Sequence, residues 1–281
     1  MSTKMYVGVN NVAKKVDKIY VGINNTAQLC YTDNTPPPLP TIVTWANGTD
    51  AQIKAMVDAH YQGLLDLTDY WHVGDKRTVS LNAMTATYVP EAHTAQDVVI
   101  VLTNVGGKTL ANGGTCAFQW DMENVLYNHS NPSATTENGR MRNDGINGWN
   151  GSERRNWCNE VFRDAISSAD MKSVLMKEFI NPTCAGSKSS TIINTTDYCA
   201  LRSQVEVLGT YDYSFEGEGS QVTYYANGSN IKYRGTNKTA WWTRSPRNTT
   251  TNTMIAIGTG ENQKSTYYVY TTTGISVFGV I

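Results

Sequence analysis

The sequence predicts an α+β fold, with one large domain following a small β-hairpin module. Three observations set that expectation: a duplicated strand-forming segment near the N-terminus, a run of prolines behind it, and helical periodicity that later gives way to short β segments.

The duplication comes first. Lys4-Met5-Tyr6-Val7-Gly8-Val9-Asn10-Asn11-Val12-Ala13 returns as Lys18-Ile19-Tyr20-Val21-Gly22-Ile23-Asn24-Asn25-Thr26-Ala27, 14 residues later. In each copy apolar and β-branched residues run into an Asn pair that tolerates left-handed backbone, which predicts a strand, a tight turn and a return strand. A lone hairpin is marginal in water, so residues 1–32 are expected to attach to something else, another copy or a larger assembly. Pro36, Pro37, Pro38 and Pro40 then hold 33–42 in a polyproline spacer that offers a sheet few donors. The main domain is expected to be 43–281.

Within it, Thr49-Asp50-Ala51-Gln52 has the form of a capping box, and Ile53, Met56, Val57, Tyr61 and Leu64 follow at helical spacing, with Gly63 near the end. His60 on this helix reads as a surface or packing residue rather than a ligand. Strands are expected at 78–81 and 96–103, the second around Val98-Val99-Ile100-Val101-Leu102. After the turn-rich 143–151, helices are expected at 153–166, carrying Trp157, Val161 and Phe162, and at 169–179, stopping before Asn181-Pro182. From Tyr198 onward the pattern reads as short strands at 204–208, 221–225, 231–233, 241–244, 254–257, 266–270 and 275–281. Two or three helices and a β-rich C-terminal half make the domain α+β.

Composition narrows the function. Hydrophobic residues at 40 % suffice for a core, while charged residues reach only 17 % and Asn, Thr, Ser, Gly and Tyr carry much of the polarity. The net charge of −1 and absence of a Lys/Arg run argue against nucleic acid. No apolar run approaches the roughly 18 residues of a membrane span, and no apolar leader follows Met1, so synthesis in a cytosol is expected. The five cysteines, Cys30, Cys116, Cys158, Cys184 and Cys199, are widely spaced without a C-x-x-C and read as buried thiols.

Catalytic signatures are missing. His60, His72, His93 and His129 have no metal-ligand spacing, and no nucleophile elbow or phosphate loop is present. No catalytic residue, metal or cofactor is therefore expected. Asp212, Glu216 and Glu218 cluster with Tyr211, Tyr213 and Phe215, a composition shared by sugar-processing clefts and by solvated loops over packed aromatics; the loop is the simpler account. The last segment is the most informative. Apolar strands there alternate with polar loops of small side chains and tyrosines, the residue set that adaptable recognition surfaces favour.

These residues also carry a resemblance. The Tyr-Val-Gly-Val-Asn-Asn-Val-Ala repeat resembles N-terminal repeats of tail proteins from phages of Firmicutes-type gut bacteria. From about Asp69 to Ile281 the chain resembles a domain family of phage and bacterial surface proteins related to the C-type lectin fold. The motifs that carry it are Trp71-His72-Val73-Gly74-Asp75, Gly148-Trp149 with Ser152-Glu153-Arg154-Arg155, Ser203-Gln204-Val205-Glu206-Val207-Leu208-Gly209, Trp241-Trp242-Thr243-Arg244-Ser245-Pro246, and Gly274-Ile275-Ser276-Val277-Phe278-Gly279-Val280-Ile281.

The resemblance implies a C-type lectin-like domain that is the variable protein of a diversity-generating retroelement. In such systems adenine-directed mutagenesis rewrites C-terminal codons on a fixed scaffold, and the Asn/Thr density after Pro246 is similar to such a region. It implies scaffold roles for Trp241, Arg244 and Pro246, and ligand contact by Trp242, Arg247, Asn248, Thr250, Asn252, Thr259, Glu261, Asn262, Lys264, Tyr267, Tyr268 and Tyr270. The Glu-Pro-Asn, Gln-Pro-Asp and Trp-Asn-Asp motifs of calcium-dependent lectins are absent, as is the late cysteine pair of the related formylglycine-generating enzymes. The function implied is receptor binding in a virion. Residues 1–32 would meet other tail proteins, the C-terminal face would meet a host-surface protein or glycan, and a homo-oligomer such as a trimer would add avidity. The rivals are a carbohydrate-active enzyme and a purely structural virion protein.

Overall fold

The computed structural model describes residues 38–88, 92–126, 148–186, 188–269, 271 and 273–281, together with the backbone of the strands in 6–9, 12–15, 18–23 and 26–32. The chain divides into two compact units, Met1–Leu39 and Pro40–Ile281.

The first unit is two antiparallel hairpins. β1 (Tyr6–Val9) pairs with β2 (Val12–Lys15), and β3 (Lys18–Ile23) pairs with β4 (Thr26–Thr32). The pairs Val9↔Val12 and Ile23↔Thr26 leave two residues for each connection, Asn10-Asn11 and Asn24-Asn25, which lie outside the described residues. Both copies of the repeat thus give an antiparallel strand pair, the second longer and with a register irregularity between Ile19 and Tyr20.

The second unit starts with α1 (Asp50–Tyr61), where the Thr49 hydroxyl accepts from Gln52 N and the Gln52 side chain accepts from Thr49 N, closing the capping box. Its inner face buries Ile53, Met56, Val57 and Ala59. His60 is partly buried, and its Nδ1 accepts from Leu67 N at 3.4 Å. β5 (Lys76–Leu81) alternates exposed and buried side chains, β6 (Gln96–Val105) is largely buried, and β7 (Phe118–Met122) is buried throughout. A helical stretch follows, α2 (Glu153–Asn156) capped by Ser152, a π-helical segment Trp157–Phe162, and α3 (Arg163–Ala165). Next come α4 (Ala169–Leu175), the hairpin of β8 (Phe179–Cys184) and β9 (Ile192–Asp197), and β10 (Cys199–Ala200).

The C-terminal part contains α5 (Gln204–Leu208), α6 (Thr223–Asn227), the hairpin β11 (Lys232–Arg234) and β12 (Asn237–Thr239), then β13 (Trp241–Pro246), β14 (Thr253–Ile257), β15 (Lys264–Tyr268) and β16 (Phe278–Val280). The largest sheet runs β10-β16-β7-β6-β5, and β13-β14-β15 form a second, antiparallel one. Few short helices and many antiparallel strands make the unit α+β.

Several expectations need correction. Segments 204–208 and 221–225 are not strands but supply α5 and α6, so helices also serve the C-terminal half. The helix from Ala169 ends at Leu175, and Phe179 already opens β8, with Asn181 and Pro182 inside that strand. A proline is tolerated there because β8 has one neighbour in a two-stranded sheet, leaving an edge that needs no donor. The final strand is confined to Phe278–Val280.

The core is rich in aromatic rings. All seven tryptophans are fully buried, and Trp45 meets Trp71 with ring centroids 5.2 Å apart. Each large ring removed from water contributes roughly 1.5–3 kcal/mol by transfer, so these positions are scaffold. The four cysteines among the described residues are free and buried.

Candidate functional site

The sequence-derived recognition residues that are described fall on or beside the β13-β14-β15 sheet. β13 and β14 are buried along their whole length, which fixes the sheet between the rest of the unit and its exposed loops. The register sets Thr253 opposite Tyr268 and Ile257 opposite Lys264. With side chains alternating, Lys264, Thr266 and Tyr268 share one face of β15, and Tyr267 takes the other. There the Tyr267 ring meets Trp242 edge to face at 6.0 Å.

An antiparallel meander reverses at each connection, so the loops 247–252 and 258–263 sit at opposite ends of the sheet. The candidates therefore separate into two groups. Arg247, Asn248, Thr250 and Asn252 lie at one end with Tyr267 and Tyr268, while Thr259, Glu261 and Asn262 lie at the other; the Lys264 backbone starts at that second end, but its ammonium reaches the Tyr213 ring that Arg247 also approaches. Tyr270 lies outside the described residues. Trp242 is a correction: fully buried in the core, its ring has no exposed surface with which to touch a ligand.

At the first end, Asn248 is a strut. Its backbone N–H donates to Tyr213 O at 2.9 Å, and its side-chain amide donates to Ser214 O at 3.3 Å. Arg247 N donates to Thr253 O and Val269 N donates to Asn252 O, closing the loop at its base. Thr249, Thr251 and Asn252 stand exposed above that base. At the second end, Asn262 adopts φ +51°, accepts at Oδ1 from Asn230 Nδ2 (2.9 Å), and donates its N–H to Asn230 Oδ1 (3.2 Å). Ser229 donates to Glu261, so this loop is tied to 229–230 although Thr259, Glu261 and Asn262 are exposed.

The structure adds residues that sequence reasoning placed elsewhere. Tyr213, 39 % exposed, lies beneath two cations: the Lys264 Nζ sits 4.6 Å from its ring centroid and the Arg247 guanidinium carbon 5.8 Å. Lys264 pairs with the Asp212 carboxylate, which also accepts from Gln204 Nε2 (2.9 Å) and Thr210 Oγ1 (3.0 Å). Tyr211 and Tyr268 are exposed as well, at 45 % and 49 %. The alternation Tyr211-Asp212-Tyr213 was the available signal, masked by grouping Asp212 with Glu216 and Glu218. Those three acids do not share one face. Glu218 is fully buried and accepts from Cys184 N (3.0 Å), Thr183 Oγ1 (3.3 Å) and Ser245 Oγ, whereas Asp212 and Glu216 are exposed.

Beneath the sheet lies a buried charge network. Arg244 donates to Leu201 O (2.9 Å), Pro182 O (3.1 Å), Glu218 O (2.6 Å) and the Glu206 carboxylate. Glu206 also holds Lys108 at 2.6 Å. Burial alone would raise the Glu206 carboxyl, but Arg244, Lys108 and Arg202 outweigh it and hold the group well below the usual carboxylate range. Burial pushes Lys108 down to about 8 against the pull of Glu206. Arg202 pairs with Asp121 at 2.7 Å, both fully buried. These groups pair with one another and brace β13 from within.

Hollows also lie elsewhere. One of about 600 Å³ is lined by Asp58, Tyr61, Lys177, Glu178 and Tyr198, and one of about 370 Å³ opens above Lys108 and Glu206. No sequence-derived candidate lines either. Among the described residues no cluster of three or more His, Cys, Asp or Glu side chains is placed to hold a metal, and no helix is long and apolar enough to cross a membrane.

Comparison with curated proteins and with solved structures finds no match. A family profile does match, over residues 122–278, which is more than half of the chain and includes β13, β14 and β15. The chain therefore belongs to the family described as "Domain of unknown function (DUF6273)".

Proposed function

We propose that the protein is a non-enzymatic receptor-binding component of a bacteriophage tail. Residues 1–32 attach it to other tail proteins, and a C-type lectin-like domain displays a diversifiable C-terminal surface to a host-cell ligand, protein or glycan. The observation that carries this reading is the abrupt change of burial along the chain. β13 and β14 are buried end to end, yet the loops on either side of β14 expose Thr249, Thr251, Asn252, Thr259, Glu261 and Asn262. Side chains such as Thr249, Thr251, Asn252 and Thr259 can be replaced at little cost, since substitutions at exposed sites usually shift stability by less than about 0.5 kcal/mol.

The lectin-like architecture is supported by a C-terminal strand inside the main sheet, the packed pair α1 and α4, and a small sheet bearing long polar loops. Anchoring through 1–32 is supported by the duplicated hairpins, which have little surface to bury on their own. Display in several copies, as in a trimer, would turn weak contacts into avidity.

Sequencing the same locus in sibling phages tests the reading. Differences confined to 247–273, at exposed positions, are expected; differences scattered evenly over the core would contradict it.

A further inference from the structure

We infer that the Arg247 end of this surface recognises an acidic saccharide, one that carries carboxylate or phosphate groups on its sugar units. The inference rests on the recognition surface proposed above and names the chemistry of its ligand.

Charge is the first ground. Two cations, Arg247 and Lys264, converge on the exposed Tyr213 ring. Only one has an acidic partner, because Asp212 pairs with Lys264. Among the described residues no carboxylate lies within ion-pairing distance of Arg247, whose guanidinium keeps a long 3.4 Å contact to the Thr266 hydroxyl. A half-exposed guanidinium over a ring, at 5.8 Å from its centroid, keeps N–H groups for a ligand, and the guanidinium fork matches carboxylates and phosphates.

The surroundings supply the second ground. Tyr211, Tyr213 and Tyr268 are exposed aromatic side chains, and Thr249, Thr251 and Asn252 are exposed hydroxyl and amide groups on the adjoining loop. Flat aromatic faces take the C–H side of a sugar ring, while small polar groups bond its hydroxyls. A peptide ligand would instead draw on an apolar anchoring pocket, and the two hollows described above are lined by other residues. The hydroxyl-and-ring set thus favours a saccharide, and Arg247 gives it a charge preference.

The test uses the full chain over immobilised polygalacturonate, poly(glycerol phosphate) and neutral dextran. Wild type is expected to bind one or both polyanions, more weakly as salt rises, and to ignore dextran. The polyanion that binds identifies the anion as carboxylate or phosphate. R247Q should bind roughly tenfold more weakly with an unchanged melting temperature. D212N, which frees Lys264, should bind more tightly. No binding to either polyanion, binding by R247Q within twofold of wild type, or weaker binding by a folded D212N would overturn the inference. A parallel capture of bacterial envelopes separates the two claims. If envelopes bind and substitutions at Asn252 and Tyr268 abolish capture while the polyanion assay is blank, the recognition surface stands and its acidic ligand falls. If those substitutions leave envelope capture intact, the surface reading falls with it.

Discussion

Tyr267 stands edge-on to Trp242, with ring planes at 87° and centroids 6.0 Å apart. Trp242 is fully buried and Tyr267 half-buried, so this contact marks where the fixed interior ends and the displayed surface begins. Trp242→Ala should cost about 3–5 kcal/mol, the usual penalty for emptying a core tryptophan site. Tyr267→Leu should cost roughly 1 kcal/mol, the scale of one aromatic contact. Urea denaturation compares the two, and equal losses would place the boundary elsewhere.

The Arg202–Asp121 pair makes a second prediction. Both side chains are fully buried, and Asp121 also accepts from Thr103 Oγ1 at 2.8 Å and Tyr225 OH at 3.3 Å. Asp121→Ala strands a guanidinium in the core and should destabilise by about 3–5 kcal/mol, whereas Asp121→Leu combined with Arg202→Met should recover part of that loss. Denaturation midpoints of the single and double variants decide the matter; a double variant worse than the sum of its parts would oppose it.

Glu206 predicts an acid-labile fold. Its carboxyl is held below the ordinary value of 4.5 by the three surrounding cations. Below that value the unfolded chain takes up a proton that the folded one refuses, so stability is present above pH 4.5 and is lost as pH falls toward the folded value. Glu206→Gln should lower stability at pH 7 by about 3 kcal/mol and flatten the dependence between pH 4.5 and 2. Denaturation across that range measures the slope, and an unchanged slope in the variant would assign the acid response to other groups.

The physical reasons some elements were legible and others not are local. α1 is announced by a capping box and an apolar stripe, and the repeated hairpins by closely similar residues in both copies. α5 was read as a strand because Val205 and Val207 alternate with polar residues. The deciding signals were its ends: Ser203 and Glu206 form a capping box, and Gly209 closes the helix at φ +70°, where an added Cβ would meet the Gln221 side chain at 2.7 Å. β7 was missed because it is buried on both faces and contains Asp121, whose partner Arg202 is 81 residues away. Within the candidate site, the polar loops were legible from composition. Their division between two sheet ends, and the docking of Tyr213 under Arg247 and Lys264, depend on long-range pairing that no local pattern encodes.

The most direct test of the central claim joins stability to binding in one variant. Thr249, Thr251, Asn252, Thr259 and Glu261, all exposed, would be changed together to alanine in the full chain. The variant's melting temperature and its retention on bacterial envelopes that capture the wild type would then be measured. The account predicts a Tm within about 4 °C of wild type and loss of envelope binding. Full binding, or a collapse of Tm, would contradict it.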